Sequence, residues 1–439
     1  MLAGFYGDDF TGSTDALGQF RRWGLKSILL LETPDEQMLR EHAAAYDVVG
    51  VAGVARSLPM AHIEQEIRPV LERFARIDCK LVQYKVCSTF DSSSSIGSFG
   101  PALKLGRELF GGPPFPIVPA QPDFGRYTLF GHHFANFAGT TYRLDRHPAM
   151  AAHPSTPIDE ADLRLHLALQ SNIKTAVFPI TALRGAGRCA ALKKLVAEQP
   201  AAIVFDALHN DDLLALARLM EESYPQERLF ALGSGGLSYG FGRSWGEGGA
   251  LPAIAEIEAI EKLLVVSGSA SPQTAMQIEW ALANGWSGVR IDPSTLFTTD
   301  SDRRATTVAN LSEALSRAFR SGKRGAVLYS ALGPQDVKMG SALAGLGTAQ
   351  LLGEALGTIV RALLERFALR RAIIAGGDTS SYAARAMAAR SVEIIKMLVP
   401  AGALCLVHSA DATVDGLELV LKGGQVGDER FFELVRLGR

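Results

Sequence analysis

The feature that most constrains this chain is a repeated alternation. Short runs that are apolar on both faces are each followed by a turn and an amphipathic helix. The first run is "LAGFY" from Leu2, followed by "SILLL", "DVVGVA", "LVQYKV", "FPIVP", "TAVFPI", "AIVFD" and "LFALG". A helix is expected after the first strand, capped by Thr11 or Ser13 and ending near Gly24, and a longer one from about Pro59 to Ile77. Strands apolar on both faces need cover on both, and helices between them supply it, which predicts a parallel sheet sandwiched by helices. The rhythm breaks in the Gly, Pro and Glu-rich stretch at residues 243–261, then restarts with "KLLVVSG", "GVRID", "GAVLYS", a long helix from Ala342 to Phe367, "RAIIAGG", "ALCLVHS" and "LELVLKGG". At 439 residues, two domains are expected. The reading is an N-terminal α/β domain at 1–242, a linker at 243–261 and a C-terminal α/β domain at 262–439, with mainly parallel sheets flanked by helices.

Composition narrows the partners. A net charge of −2, with no block of like charge, argues against nucleic acid or a charged membrane surface. Cys79, Cys87, Cys189 and Cys405 are far apart and form no CxxC pair, as expected of reduced thiols in a cytoplasmic protein. No stretch reads as a signal peptide or reaches the roughly 18 apolar residues of a membrane helix.

In parallel sheets, ligands bind where strands end at their carboxyl side and turn into helices. Five such turns are rich in Gly, Ser, Thr or Asp. "GDDFTGSTD" places Asp8 and Asp9 directly after the first strand, where a carboxylate can act as a base, hold substrate hydroxyls or simply cap a helix. "YKVCSTFDSSSS" offers Lys85, Ser88, Thr89 and Asp91; an unpaired amine in a buried strand is costly, so Lys85 points to the surface or meets an anionic ligand. "VSGSASPQTA" joins a strand to a Pro-initiated helix, and Ser267, Ser269 and Thr274 with the local amides suit a phosphate. "IIAGGDTSS" brings Gly376, Gly377, Asp378 and Thr379 to a helix start, with Thr379 or Ser380 opening the helix. "LKGGQVGDE" adds Gly423 and Gly424 beside the cation Lys422. None is a GxxxxGK[ST] or GxGxxG motif, so neither P-loop nor Rossmann dinucleotide binding is supported. Taken singly, the last two turns are more often plain structure. Within "PAQPDFGRYTLFGHHF", Arg126 can grip a carboxylate in bidentate fashion. His132 and His133 have no acid or Cys at ligand spacing, so packing is the better reading and no metal-ligating side-chain set is expected. "GSGGLSYG", from Gly233, is a ligand turn or a tight connection.

Together these turns resemble a known family, the four-carbon acid sugar kinases. Its "ADDxTGATD" is met by residues 7–15, its "GS(A/G)GL" by 233–237, its "GSxSPxT" by 268–274, its "GGETS" by 376–380 with Asp378 for Glu, and its "KSGxFG" by 422–427. The likeness spans nearly the whole chain. One segment departs: where many members carry "KIDSTLRGN", this chain has "KVCSTFDSS", keeping Lys85, Ser88 and Thr89 but placing Cys87 for Asp and lacking the Arg-Gly pair. That implies a subgroup with a different substrate, a branched or oxidised acid such as 3-oxo-isoapionate; residues 143–157 are expected to belong to that difference.

The resemblance implies ATP-dependent phosphorylation of a terminal hydroxyl of a small sugar acid, in a cleft between the domains. The acid would sit in the N-terminal domain, with Lys85 and Arg126 on its carboxylate and Asp8 or Asp9 orienting the acceptor hydroxyl, and Ser88 and Thr89 lining the pocket. ATP with Mg²⁺ would sit in the C-terminal domain on Ser267, Ser269, Gly376–Thr379, Gly423 and Gly424. Self-association into a homo-oligomer is left open. The rival from another class is a non-catalytic sensor of nucleotide or sugar acid. A haloacid-type phosphatase would need a DxDx(T/V) pattern, and "GDDFT" has the wrong spacing.

Overall fold

The computed structural model describes residues 1–151, 153, 156–246, 256–298, 300–333, 336 and 348–439, without the side chains of Pro293 and Asp378. Much of the expected 243–261 linker, Pro154 and Ser155, and the first turns (342–347) of the helix expected from Ala342 lie outside the described residues. The chain divides into two compact units, Met1–Pro252 and Ala253–Arg439. Among the described residues, no helix is long and apolar enough to cross a membrane.

In the first unit the strands are β1 (Ala3–Gly7), β2 (Ser27–Leu30), β3 (Val48–Ala52), β4 (Leu81–Lys85), β5 (Phe115–Val118), β6 (Arg126–Leu129), β7 (His132–Phe137), β8 (Thr140–Arg143), β9 (Thr175–Phe178), β10 (Ala202–Phe205) and β11 (Leu229–Gly233). Eight of them form a sheet in the order β2-β3-β1-β4-β11-β5-β10-β9, with every neighbouring pair parallel. Alternate residues serve opposite faces. Tyr6, Val49, Val51, Val82 and Tyr84 share a core with Ile63, Ile67, Val70, Leu103 and Leu105 of the helices Met60–Ala75 and Gly100–Phe110.

The order of these strands decides where a ligand can go. β1 leads through helix Phe10–Arg21 to β2 on one side, whereas β3 leads through Met60–Ala75 back across β1 to β4 on the other. Right-handed crossovers put these two helices on opposite faces. The chain therefore leaves β1 and β4 in opposing directions and opens a crevice at their carboxyl ends. Helix Phe10–Arg21 is capped by Asp9, whose side chain accepts from the Gly12 amide, and not by the expected Thr11 or Ser13. Asp9 has the extended backbone of an N-cap and the next residue is already helical.

Strands β6, β7 and β8 form a separate antiparallel sheet that the strand pattern did not suggest. Their sequences are polar and partly exposed. The signal lay in the turns: Phe130-Gly131 and Ala138-Gly139 all have positive φ, the two-residue hairpin geometry that suits the sheet twist.

The second unit contains β12 (Leu263–Ser267), β13 (Ser287–Arg290), β14 (Gly325–Tyr329), β15 (Arg371–Ala375), β16 (Ser391–Val399), β17 (Gly402–His408) and β18 (Glu418–Lys422). Their order is β13-β14-β12-β15-β18-β17-β16. The first five run parallel, and β17 and β16 are antiparallel. The direction of connection again reverses, here between β12 and β15, so their carboxyl ends and that of β18 lie side by side. β16 was not expected, because Glu393 and Lys396 interrupt its apolar run and the strand is irregular near them.

Arg371 opens β15 fully buried, opposite Glu418 of β18. Its guanidinium donates to the Glu418 carboxylate at 2.6 Å and to the Val435 carbonyl at 2.6 Å. Removing one partner of such a pair strands the other in a medium that solvates it poorly. We expect Arg371→Met to destabilise the protein by about 3–5 kcal/mol, read as a lowered midpoint in thermal or urea unfolding.

Candidate active site

The crevice between β1 and β4 collects the acids of "GDDFTGSTD". Asp9 is fully engaged. Its Oδ1 accepts from the Gly12 amide at 3.1 Å, and its Oδ2 accepts from Thr11 Oγ1 at 2.5 Å and from an Arg56 Nη at 2.7 Å. Burial pushes the Asp9 carboxyl up, but Arg56, Lys85 and these hydrogen bonds outweigh it and hold the group below the usual carboxylate range. Asp8 is the opposite case. Its backbone is fixed, the amide donating to the Lys85 carbonyl at 3.0 Å and the carbonyl accepting from the Arg56 amide at 3.1 Å. Its carboxyl is 1% exposed, and neither oxygen has a hydrogen-bond partner among the described residues. Burial pushes this carboxyl up to about 8, against the pull of Arg56.

Lys85 ends β4 in register with Gly7, the last residue of β1. Its amine is buried and donates to the Val86 carbonyl at 2.9 Å, leaving two N–H groups for other acceptors. Gly12 makes room for it: a Cβ there would lie 3.1 Å from Lys85 Nζ and 2.3 Å from Asp9 Oδ1.

After β4 the chain forms the Cys87–Asp91 turn. The Ser88 carbonyl accepts from His133 Nε2 at 2.8 Å, while His133 Nδ1 accepts from Thr128 Oγ1 at 3.0 Å. Burial pushes His133 down to about 4, so the ring stays neutral and acts as a brace. Thr89 is not free to bind substrate through its proton, because its hydroxyl donates to Asp91 Oδ1 at 2.5 Å. Arg126, at the start of β6, spends Nη1 on the carbonyls of Phe124 and Asn136, at 2.9 and 3.1 Å. Its buried Nε has no hydrogen-bond partner among the described residues. Burial lowers the Arg126 pKa, while Cys87 and Asp91 stand close enough to oppose that shift. The three-stranded sheet thus carries both the brace and a cation to the turn. Asp15 lies nearby in sequence but not in role: it accepts from Gln19 and Gln121 amides at 3.0 and 2.9 Å.

In the second unit three glycine-rich turns meet at the ends of β12, β15 and β18. The Gly268 amide donates to the Ala375 carbonyl at 2.8 Å, and the Gly376 amide to the Lys422 carbonyl at 2.9 Å. Ser271, the N-cap of helix Pro272–Ala283, donates to the Gly424 carbonyl at 2.6 Å. Gly376 is the N-cap of helix Gly377–Ala386, which begins before the expected Thr379 or Ser380. Its φ of +124° and the 2.3 Å between a would-be Cβ and Thr379 Oγ1 both require glycine. A Cβ on Gly268 would likewise meet Thr379 Oγ1 at 2.6 Å. Ser267, Ser269, Gly376, Gly377, Thr379, Gly423 and Gly424 are therefore one cluster, with two helix N-termini aimed into it. The Asp378 side chain lies outside the described residues. Lys422 is wholly buried, donating to Thr274 Oγ1 at 2.9 Å and to the Gly423 carbonyl at 3.0 Å. Burial pushes its amine down to about 7.

One residue beside the acids, Arg56, has no signal in the sequence, and another, Asp91, has no role assigned by it. Arg56 follows β3, the neighbour of β1, in the turn "GVARS", which has no acid and none of the glycine- and hydroxyl-rich character of the other turns. Asp91 was in view as part of the serine-rich turn, but nothing in one dimension tied it to Thr89 and Arg126.

Comparison with known proteins agrees with this division. Residues 3–241 match the model of a sugar-binding N-terminal domain, and residues 264–432 that of a nucleotide-binding C-terminal domain. The chain is 37% identical to a 3-oxo-isoapionate kinase of Paraburkholderia graminis, over 100% of this chain and 95% of that one. It is 29% identical to a 3-oxo-tetronate kinase of Cupriavidus necator, over 98% and 96%. Among solved structures, a Salmonella typhimurium protein described as a putative tRNA synthase superposes with a TM-score of 0.77 at 24% identity, covering 99% of this chain and 98% of that one. At that identity the likeness speaks for the fold alone. With a sugar-binding and a nucleotide-binding half in that order and kinases as full-length relatives, the chain belongs to the four-carbon acid sugar kinase family and is an ATP-using sugar-acid kinase.

Proposed function

We propose that the enzyme transfers the γ-phosphoryl group of ATP to a terminal hydroxyl of a branched, oxidised acid of the 3-oxo-isoapionate type. The higher identity to the 3-oxo-isoapionate kinase than to the 3-oxo-tetronate kinases, over the same span, supports that choice. The observation that carries the mechanism is the Asp8 carboxyl: buried, without a hydrogen-bond partner among the described residues, and fixed through its backbone to β4 and the Arg56 turn. Asp8 accepts the proton of the attacking hydroxyl as its oxygen bonds to phosphorus and the bond to ADP breaks. Asp9 is the positioning residue: it caps the helix, holds Arg56 and keeps positive charge beside Asp8. Lys85 and the free Nε of Arg126 bind the substrate carboxylate, and the Ser88 hydroxyl lines the same pocket.

The phosphates lie against Ser267, Ser269, Gly376, Gly377, Thr379, Gly423 and Gly424, with the Asp378 backbone at the same helix start. The dipoles of the two helix starts favour negative charge there. Among the described residues, no three or more His, Cys, Asp or Glu stand together as a metal site. Mg²⁺ would enter with ATP beside the hydroxyls of Ser267, Ser269 and Thr379, and would neutralise phosphate charge there. Use of the cellular ATP pool and four free cysteines support a cytoplasmic location.

Asp8→Asn should lower acid-dependent ADP release about 10²- to 10⁴-fold; near-normal turnover would remove Asp8 from the chemistry. In the wild type, the ionised fraction of Asp8 grows as pH rises, so kcat/KM should climb and level off above about pH 8. Stability moves the other way. A carboxyl raised in the folded state favours folding below its unfolded value near 4 and loses that contribution as pH rises to about 8. Asp8→Asn should therefore raise Tm at pH 7–8 while abolishing turnover, which separates catalysis from folding. Gly376→Ala, which forces a side chain onto Thr379, should raise KM for ATP about tenfold or more and leave KM for the acid unchanged.

A further inference from the structure

The turn that departs from the family pattern is strained and heavily braced. Phe90 has a φ of +59° yet is fully buried. Such backbone costs a bulky residue energy and persists only where its surroundings enforce it. Here they do. The Phe90 ring lies 4.7 Å from that of Phe99 and 5.8 Å from that of His166, and the Phe90 amide donates to the Cys87 carbonyl at 2.9 Å. The Ser92 hydroxyl donates to the Phe90 carbonyl at 3.1 Å, and His133 holds Ser88 from the other side.

What this strain positions is Asp91. Thr89 Oγ1 gives its proton to Asp91 Oδ1, so the Cys87 thiol, 3.0 Å away, is the donor to Thr89. The result is a one-way relay, Cys87 to Thr89 to Asp91 Oδ1. Burial pushes the Cys87 thiol up to about 11, which keeps it a donor. The side-chain hydrogen bond seen to Asp91 among the described residues goes to Oδ1, and Asp91 is 9% exposed. Its turn directly follows Lys85 at the end of β4 and is held through Ser88 by His133, on the strand paired with the one that carries Arg126.

We propose that Asp91 is a specificity-determining residue, whose Oδ2 accepts the hydroxyl of the substrate's hydroxymethyl branch, aimed there by the Cys87–Thr89 relay. This rests on the acid site described above. A 3-oxo acid with a hydroxymethyl branch offers one hydroxyl more than a linear 3-oxo-tetronate, and an added acceptor oxygen is the group that selects for it. A linear acid leaves that oxygen desolvated and unpaired, which penalises its binding.

The test uses the full-length enzyme with 3-oxo-isoapionate and the unbranched 3-oxo-tetronate as paired substrates. Asp91→Asn keeps the bond to Thr89 through its amide oxygen but turns a donor toward the branch. It should lower kcat/KM for the branched acid about 10- to 100-fold, through KM, with kcat nearly unchanged. The 3-oxo-tetronate should be used as well as before or better. Cys87→Ser, which keeps an O–H donor, should retain the preference, and Cys87→Ala should weaken it. An equal loss on both acids in Asp91→Asn would make Asp91 a structural brace and overturn the proposal. An unchanged preference would overturn it too. Either result leaves the Asp8 reading standing, because that depends on whether Asp8→Asn still turns over, and a failure there would be seen with both acids.

Discussion

The constraint on which the rest depends is the reversal of chain direction within each parallel sheet. Parallel strands bring their carboxyl ends to one edge, but most of that edge is closed by the chain crossing into the next helix. Only where consecutive connections diverge does a crevice open. In the first unit this occurs between β1 and β4, and in the second between β12 and β15. The acids follow β1, Lys85 ends β4, and the glycine turns follow β12 and β15. Both halves of the enzyme use the same topological device with different linings: buried acids and cations in the sugar-binding half, and glycine turns at helix starts in the nucleotide-binding half.

Within the first crevice, two adjacent aspartates divide the work because their surroundings differ. Asp9 receives an amide, a hydroxyl and a guanidinium; Asp8 receives nothing from the described residues through its side chain. The engaged acid is stabilised as an anion and holds the local frame. The isolated one is pushed toward the proton-bound form, its two oxygens without a hydrogen bond among the described residues. A shift of this kind costs stability, and it survives because the backbone of Asp8 is fastened on both sides to β4 and the Arg56 turn. The same pattern, strain held by strong bracing, recurs at Phe90, whose left-handed backbone is locked by aromatic packing and by His133.

The nucleotide side is built from close approach. Gly268 and Gly376 sit where any side chain would collide with Thr379, and Lys422 is buried among a hydroxyl and carbonyls with no carboxylate among the partners seen. A cation in that setting is poorly compensated until an anion arrives, which suits a pocket for phosphates.

Much of this was legible in one dimension. Apolar runs of two-sided character alternating with helices read as parallel strands under helices, so the α/β class followed from pattern, and the turns at the strand ends could be named from the same rhythm. The hairpins of β6–β8 and strand β16 were not legible, because polar or interrupted strands are defined by turn geometry and by their neighbours rather than by periodicity. By itself the sequence determined which side chains stand at strand ends, since that depends on local rhythm alone. Only the tertiary structure decided which aspartate is spent as a cap and which is left free, that Arg56 and Asp91 join the site, and that Thr89 is committed to a neighbour. Those outcomes depend on distances between segments far apart in the chain, and on the low dielectric that burial creates around them.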